Sequence, residues 1–128
     1  KKIVDALYKI KPPFNVNKIA QKCAVESLKD KSFIKKSVKH NLDWAKKIKK
    51  IMNSYNIQTN EIGPNFFLLD FKNCKLTASF VERNLEKSGI ILREMNSYGI
   101  KNCLRLTIGN VKENILLINQ MKKIFKNV

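Results

Sequence analysis

Cys103-Leu104-Arg105-Leu106-Thr107-Ile108-Gly109-Asn110 is a short strand running into a helix start. A period of two puts Leu104, Leu106 and Ile108 on one face, and Cys103, Arg105 and Thr107 on the other. Asn110 followed by Glu113 is a capping-box-like pair that opens the helix behind it. One residue is out of place. Of 26 basic residues, only Arg83, Arg93 and Arg105 are arginine and the other 23 are lysine. A chain that writes its charge as lysine has set an arginine in the middle of an apolar strand.

Working outward, the spacing predicts a last helix with Val111, Ile115, Ile118, Met121 and Phe125 inward. Upstream, the Ile90–Glu94 stretch reads as a strand ending on Arg93. A loop through Asn96 and Gly99 makes it an antiparallel hairpin with the 103–109 strand. Thr77 caps a helix to about Lys87, with Phe80, Val81 and Leu85 inward and Gly89 as its stop. Asn65–Phe71, behind the breaker pair Gly63–Pro64, is a strand so continuously apolar that burial on both faces is expected. A long helix is predicted from about Lys31 to Tyr55. Its stripe is Ile34, Val38, Leu42, Ala45, Ile48, Met52 and Tyr55, with Trp44 widening the buried face. Before it, Pro12–Pro13 forces an extended lead-in. Asn15 or Asn17 then caps a helix with a stripe of Val16, Ala20, Cys23, Ala24 and Leu28, whose small residues imply close approach to another element. The fold class is therefore α+β: a small, mainly antiparallel three-stranded sheet with helices packed on it.

Composition limits the function. At 128 residues the chain reads as one domain. No apolar run exceeds four residues, as in Phe66–Leu69, so no membrane partner is expected. The opening Lys-Lys-Ile-Val-Asp-Ala-Leu lacks a methionine and is already in helical spacing, so the chain reads as the C-terminal part of a longer polypeptide. Cys23, Cys74 and Cys103 are odd in number and unpaired in spacing, which fits free thiols in the cytoplasm. His40 is the only histidine, too few ligands for an ordinary zinc site, and is read as a solvated residue on a lysine-rich helix face. The net charge of +16 invites a basic nucleic-acid-binding module as an alternative. The lysines are dispersed, however, and 15 Asn and 15 Ile accompany them. The charge is better read as a solvated exterior, and nucleic acid is not the expected partner.

If the two arginine-bearing strands pair, Arg93 and Arg105 converge on one face. Two guanidinium forks suit a carboxylate or hold a phosphate dianion. On pattern alone, a strand arginine is more often exposed or paired with a surface carboxylate, and these residues by themselves name no ligand.

Taken in order, Lys9–Asp30 (with its Pro-Pro-Phe-Asn-Val-Asn turn), Gly63–Phe71, Gly89–Met95 and Cys103–Asn110 resemble the C-terminal small domain of histidinol-phosphate aminotransferases. The resemblance extends from about Ile3 to Phe125. It implies a parent enzyme of fold type I that moves an amino group between glutamate and imidazole-acetol phosphate, on the way to histidine. It also implies pyridoxal phosphate bound by a large domain outside this chain, and a homodimer. Arg105 then grips the substrate carboxylate or phosphate and Arg93 helps bind the phosphate of histidinol phosphate. None of the lysines matches the cofactor-binding context, so no catalytic or cofactor-binding residue is assigned here, and the 128 residues alone are expected to be inactive. Phe14 stands where the family usually has tyrosine, and Pro64 where a small residue is common. Aromatic aminotransferases and threonine-phosphate decarboxylases share this small-domain plan and are the alternatives.

Overall fold

The computed structural model describes residues 1–126. By contacts the chain divides into two compact units, Lys1–Lys35 and the residues from Lys36 onward. The first holds helix α1 (Lys2–Ile10), helix α2 (Lys18–Lys29) and the opening turn of helix α3 (Lys31–Asn53). Asn17 is the cap of α2, its side chain accepting from the Ala20 amide at 2.8 Å. No side chain of α1 or α2 is buried. The small-residue stripe expected to pack closely is therefore bare within the described chain, as are Ile3, Leu7 and Tyr8 of α1.

The second unit contains the rest of α3 and four strands: β1 (Gln58–Thr59), β2 (Phe66–Asp70), β3 (Arg93–Glu94) and β4 (Cys103–Thr107). Helix α4 (Ala78–Glu86) lies between β2 and β3, and helix α5 (Val111–Lys126) follows β4. The strand order is β1-β2-β4-β3 and every pairing is antiparallel. The sheet has four strands where three were expected. The extra one, Gln58-Thr59, is two polar residues with no hydrophobic alternation, and only its pairing with Leu69 and Asp70 makes it a strand.

One face of the sheet carries the core. Phe67, Leu69, Leu104 and Leu106 point to Ala45, Ile48 and Met52 of α3, Val81 and Leu85 of α4, and Leu117 and Met121 of α5. Each of these Val, Leu, Ile, Phe and Met side chains contributes about 1.5–3 kcal/mol relative to exposure. Trp44 packs partly against this cluster, as expected.

Five inward side chains and one face of β2 are corrected. Ile34, Val38 and Phe80 are exposed, at 43%, 52% and 44%, while Ala45, Ile48 and Met52 of α3 and Val81 and Leu85 of α4 fill the core. β2 is buried on one face only: Phe66 and Leu68 alternate with the buried Phe67 and Leu69. On α5 the buried positions are Asn114, Leu117 and Met121, so Val111 and Ile115 are exposed. The phase of α5 is set by a polar residue that apolar periodicity does not register.

Candidate functional site

β3 and β4 are antiparallel neighbours with Arg93 directly opposite Arg105. Opposed residues in an antiparallel pair share a face, with Cβ atoms about 5 Å apart. Both arginines therefore stand on the face opposite the core, alongside Leu68, which is the partner of Arg105 across β2. The Met95 amide donates to the Cys103 carbonyl at 3.3 Å and extends this ladder by one step. The hairpin then turns through a single 3-10 turn, Asn96–Tyr98, and Gly99 at φ 75°, a left-handed conformation that glycine adopts without a Cβ clash.

The two guanidiniums lean to different aromatic rings. Arg105 lies over Phe66, its diagonal neighbour on β2, with Cζ 5.3 Å from the ring centroid. Arg93 lies over Tyr98 at 5.4 Å. Among the described residues no carboxylate is within 4.0 Å of either. The nearby acids are engaged elsewhere. Glu94 accepts from Asn96 at 2.7 Å and from Ser79 of α4 at 3.4 Å, while Asp70 accepts from the Lys72 amide at 2.8 Å. Arg105 Nε is buried and has no hydrogen-bond partner among the described residues. A buried donor without an acceptor costs about 1–3 kcal/mol, so its presence asks for a reason.

Pairing of β3 to β4 lasts only two residues, and beyond it the 89–92 segment diverges from β4. A cleft of about 500 Å³ opens there, lined by Arg93, Arg105, Thr107, Gly109, Glu113 and Asn114 among others. Its floor is a clamped turn. Asn114, 2% exposed, accepts from the Gly109 amide at 3.0 Å and donates to the Gly109 carbonyl at 2.8 Å. The same carbonyl lies 2.9 Å from His40 Nε2. The expected capping box is present: the Glu113 amide donates to Asn110 Oδ1 at 3.0 Å, and the Asn110 amide to Glu113 Oε2 at 2.8 Å. A Cβ on Gly109 would meet the Glu113 carboxylate and lie 2.9 Å from its Cβ, so this position is held for glycine by space.

His40 is thus corrected. It is half-buried and ties α3 to the turn after β4, where composition alone read a solvated face. Sequence reasoning also passed over Asn114, Phe66 and Tyr98. Only Asn114 left a signal, an Asn in phase with Leu117 and Met121. Arg83 is exposed on α4, away from the cleft. All three cysteines are free thiols, and no group of metal-ligating residues exists among the described residues.

Two arginines with no carboxylate partner among the described residues thus stand side by side on the face of an antiparallel sheet opposite its helix-backed core. The sequence model described as "Aminotransferase class I and II" matches residues 1–119, and the chain belongs to that family. Its sequence is 48% identical over 126 residues to the histidinol-phosphate aminotransferase of Pelagibacter ubique, covering 98% of this chain and 35% of that protein. Its fold is similar to that of the histidinol-phosphate aminotransferase from Clostridium acetobutylicum, with a TM-score of 0.78 and 21% identity over 99% of this chain and 39% of that one. The Sinorhizobium meliloti enzyme, solved in complex with pyridoxal-5'-phosphate, gives 0.74 and 20% over 98% and 35%. These structural likenesses establish the fold. The chain thus spans about a third of the length of the relatives it matches.

Pyridoxal phosphate is the cofactor of this family. The cleft does not fit it as a complete site: the lining offers two guanidiniums for an anion but no lysine amine for a covalent anchor.

Proposed function

We propose that the polypeptide carrying this chain transfers an amino group between glutamate and imidazole-acetol phosphate in histidine biosynthesis, and that this chain is its C-terminal small domain. Arg105 grips the glutamate carboxylate or the phosphate of histidinol phosphate, and Arg93 binds the phosphate beside it. The observation that carries this reading is the pair of opposed arginines with no carboxylate partner among the described residues. Directly opposed like charges destabilise a strand pair, and a phosphate dianion is the ligand that offsets both. Pyridoxal phosphate belongs, in this reading, to a large domain elsewhere in the polypeptide, where it supplies the electron sink for amino-group transfer.

The bare apolar side chains of α1 and α2 support further partners, namely that large domain and a second copy in a homodimer. Three free thiols fit a reducing cytoplasm, and no helix among the described residues is long and apolar enough to cross a membrane.

The test is Arg105→Lys in the full-length enzyme. Replacing a two-point fork by a point charge forfeits a charge-assisted hydrogen bond of about 1.5–3 kcal/mol, so kcat/KM falls about tenfold or more. Unchanged kinetics for both glutamate and histidinol phosphate would remove Arg105 from the site.

A further inference from the structure

We propose that Phe66 and Tyr98 are positioning residues, each ring seating one guanidinium by its face so that the N–H edge is left for an anionic ligand. The inference rests on the reading that Arg93 and Arg105 bind the anionic end of the substrate. Its basis is the matched pair of contacts, 5.3 Å for Arg105 over Phe66 and 5.4 Å for Arg93 over Tyr98.

Burial does not account for these rings. Phe66 is 39% exposed and Tyr98 56% exposed, so each keeps much of its surface in water beside a cation. The chemistry of the contact does account for them. A carboxylate would hold an arginine through its N–H donors and leave none for a ligand. A ring attracts the cation through its π face and consumes no donor. Sheet order adds a second effect. Phe66 draws Arg105 toward β2, at the Thr107 end of β4, whereas Tyr98 draws Arg93 toward the hairpin connection. Two side chains rooted at opposed positions thereby lean toward opposite ends of the strand pair.

The rings come from separate elements, so they can be tested separately. In the full-length enzyme, Tyr98→Leu and Phe66→Leu keep apolar bulk and remove the π face. Each is expected to raise KM for histidinol phosphate about two- to fivefold, the range for a partly exposed cation–π contact, with kcat within about twofold. The ring-preserving Tyr98→Phe and Phe66→Tyr are expected to restore the wild-type KM. Leucine variants with unchanged KM overturn the proposal, and so does a KM that stays raised when the ring is kept. If Phe66→Leu fails to fold, Tyr98→Leu on its exposed turn decides the matter. Arg93→Lys and Arg105→Lys are measured alongside. If they raise KM while the leucine variants do not, only the seating role falls. If they too leave KM unchanged, the anion-binding reading falls and takes this one with it.

Discussion

Asn114→Ala is expected to be among the costlier single changes in this chain. The carboxamide is 2% exposed and brackets both polar atoms of Gly109. Truncation strands the Gly109 amide without its side-chain acceptor, at about 1–3 kcal/mol for an unsatisfied buried donor. It also removes one bond to the Gly109 carbonyl, worth about 1 kcal/mol, although His40 still reaches that oxygen. The sum is about 2–4 kcal/mol, against a total stability of about 5–15 kcal/mol for a domain of ordinary size. Urea unfolding of the 128-residue chain can be followed by Trp44, its sole tryptophan, which packs partly against the core. With a slope near 2 kcal/mol per molar urea, the midpoint should fall by about 1–2 M. Asn119→Ala, at an exposed position on the same helix, is the control and should move it by less than about 0.3 M. His40→Ala alone should cost about 1 kcal/mol. The double variant should exceed the sum of the two singles, because only then does the Gly109 carbonyl lose both donors. An Asn114→Ala midpoint indistinguishable from the Asn119→Ala control would refute the claim that this side chain clamps the turn.

Two further outcomes are expected. Burial first, and then the Asp70 carboxylate, pushes the Cys103 thiol up, whereas Cys23 is exposed; a thiol-specific reagent at mildly alkaline pH should therefore modify Cys23 quickly and Cys103 only in denaturant, and equal rates would contradict the packing of β4. The Glu82 carboxyl is pushed up by burial and by the like charges of Glu94 and Glu86, so the folded chain holds that proton more tightly than the unfolded one. The stability this group contributes is present below the unfolded carboxylate value and is lost as pH rises through the raised folded value. Glu82→Gln should then flatten the fall in urea midpoint from about pH 4 upward, and a variant that declines as steeply as the wild type would exclude Glu82 as the cause.

The strongly periodic parts of the fold were legible in the sequence. β4, α4 and the capped start of α5 follow from alternation, from Thr77 and from the Asn110–Glu113 box, each a local rule satisfied locally, and β2 was legible as an apolar run although its exposed face was not. What escaped depends on tertiary and polar contacts that apolar periodicity does not encode. β1 exists only because β2 offers it an edge. The buried face of α5 turns on Asn114, whose value comes from a backbone turn five residues earlier and cannot be weighed on an apolar scale. His40 reaches Gly109 across 69 positions of sequence. The arginines were visible as departures from a lysine background, but the rings beneath them were not. A phenylalanine in an apolar run and a tyrosine in a loop carry no mark of the cation that each will meet.

That pairing of arginine with aromatic ring explains how the sheet tolerates its own surface. Like charges on opposed positions repel, weakly where water screens them and more strongly where it is excluded. A carboxylate between Arg93 and Arg105 would have removed this cost and closed the site at the same time. Glu94 alternates to the other face, where Asn96 and Ser79 hold it, and Glu113 is spent on the Asn110 amide. The acids nearest in sequence are thus tied to backbone or polar partners, and the compensation given to the cations comes from rings that take no donor. Under the proposed function, the repulsion that remains is free energy an incoming dianion would relieve, so weakness in the sheet alone would become affinity on binding.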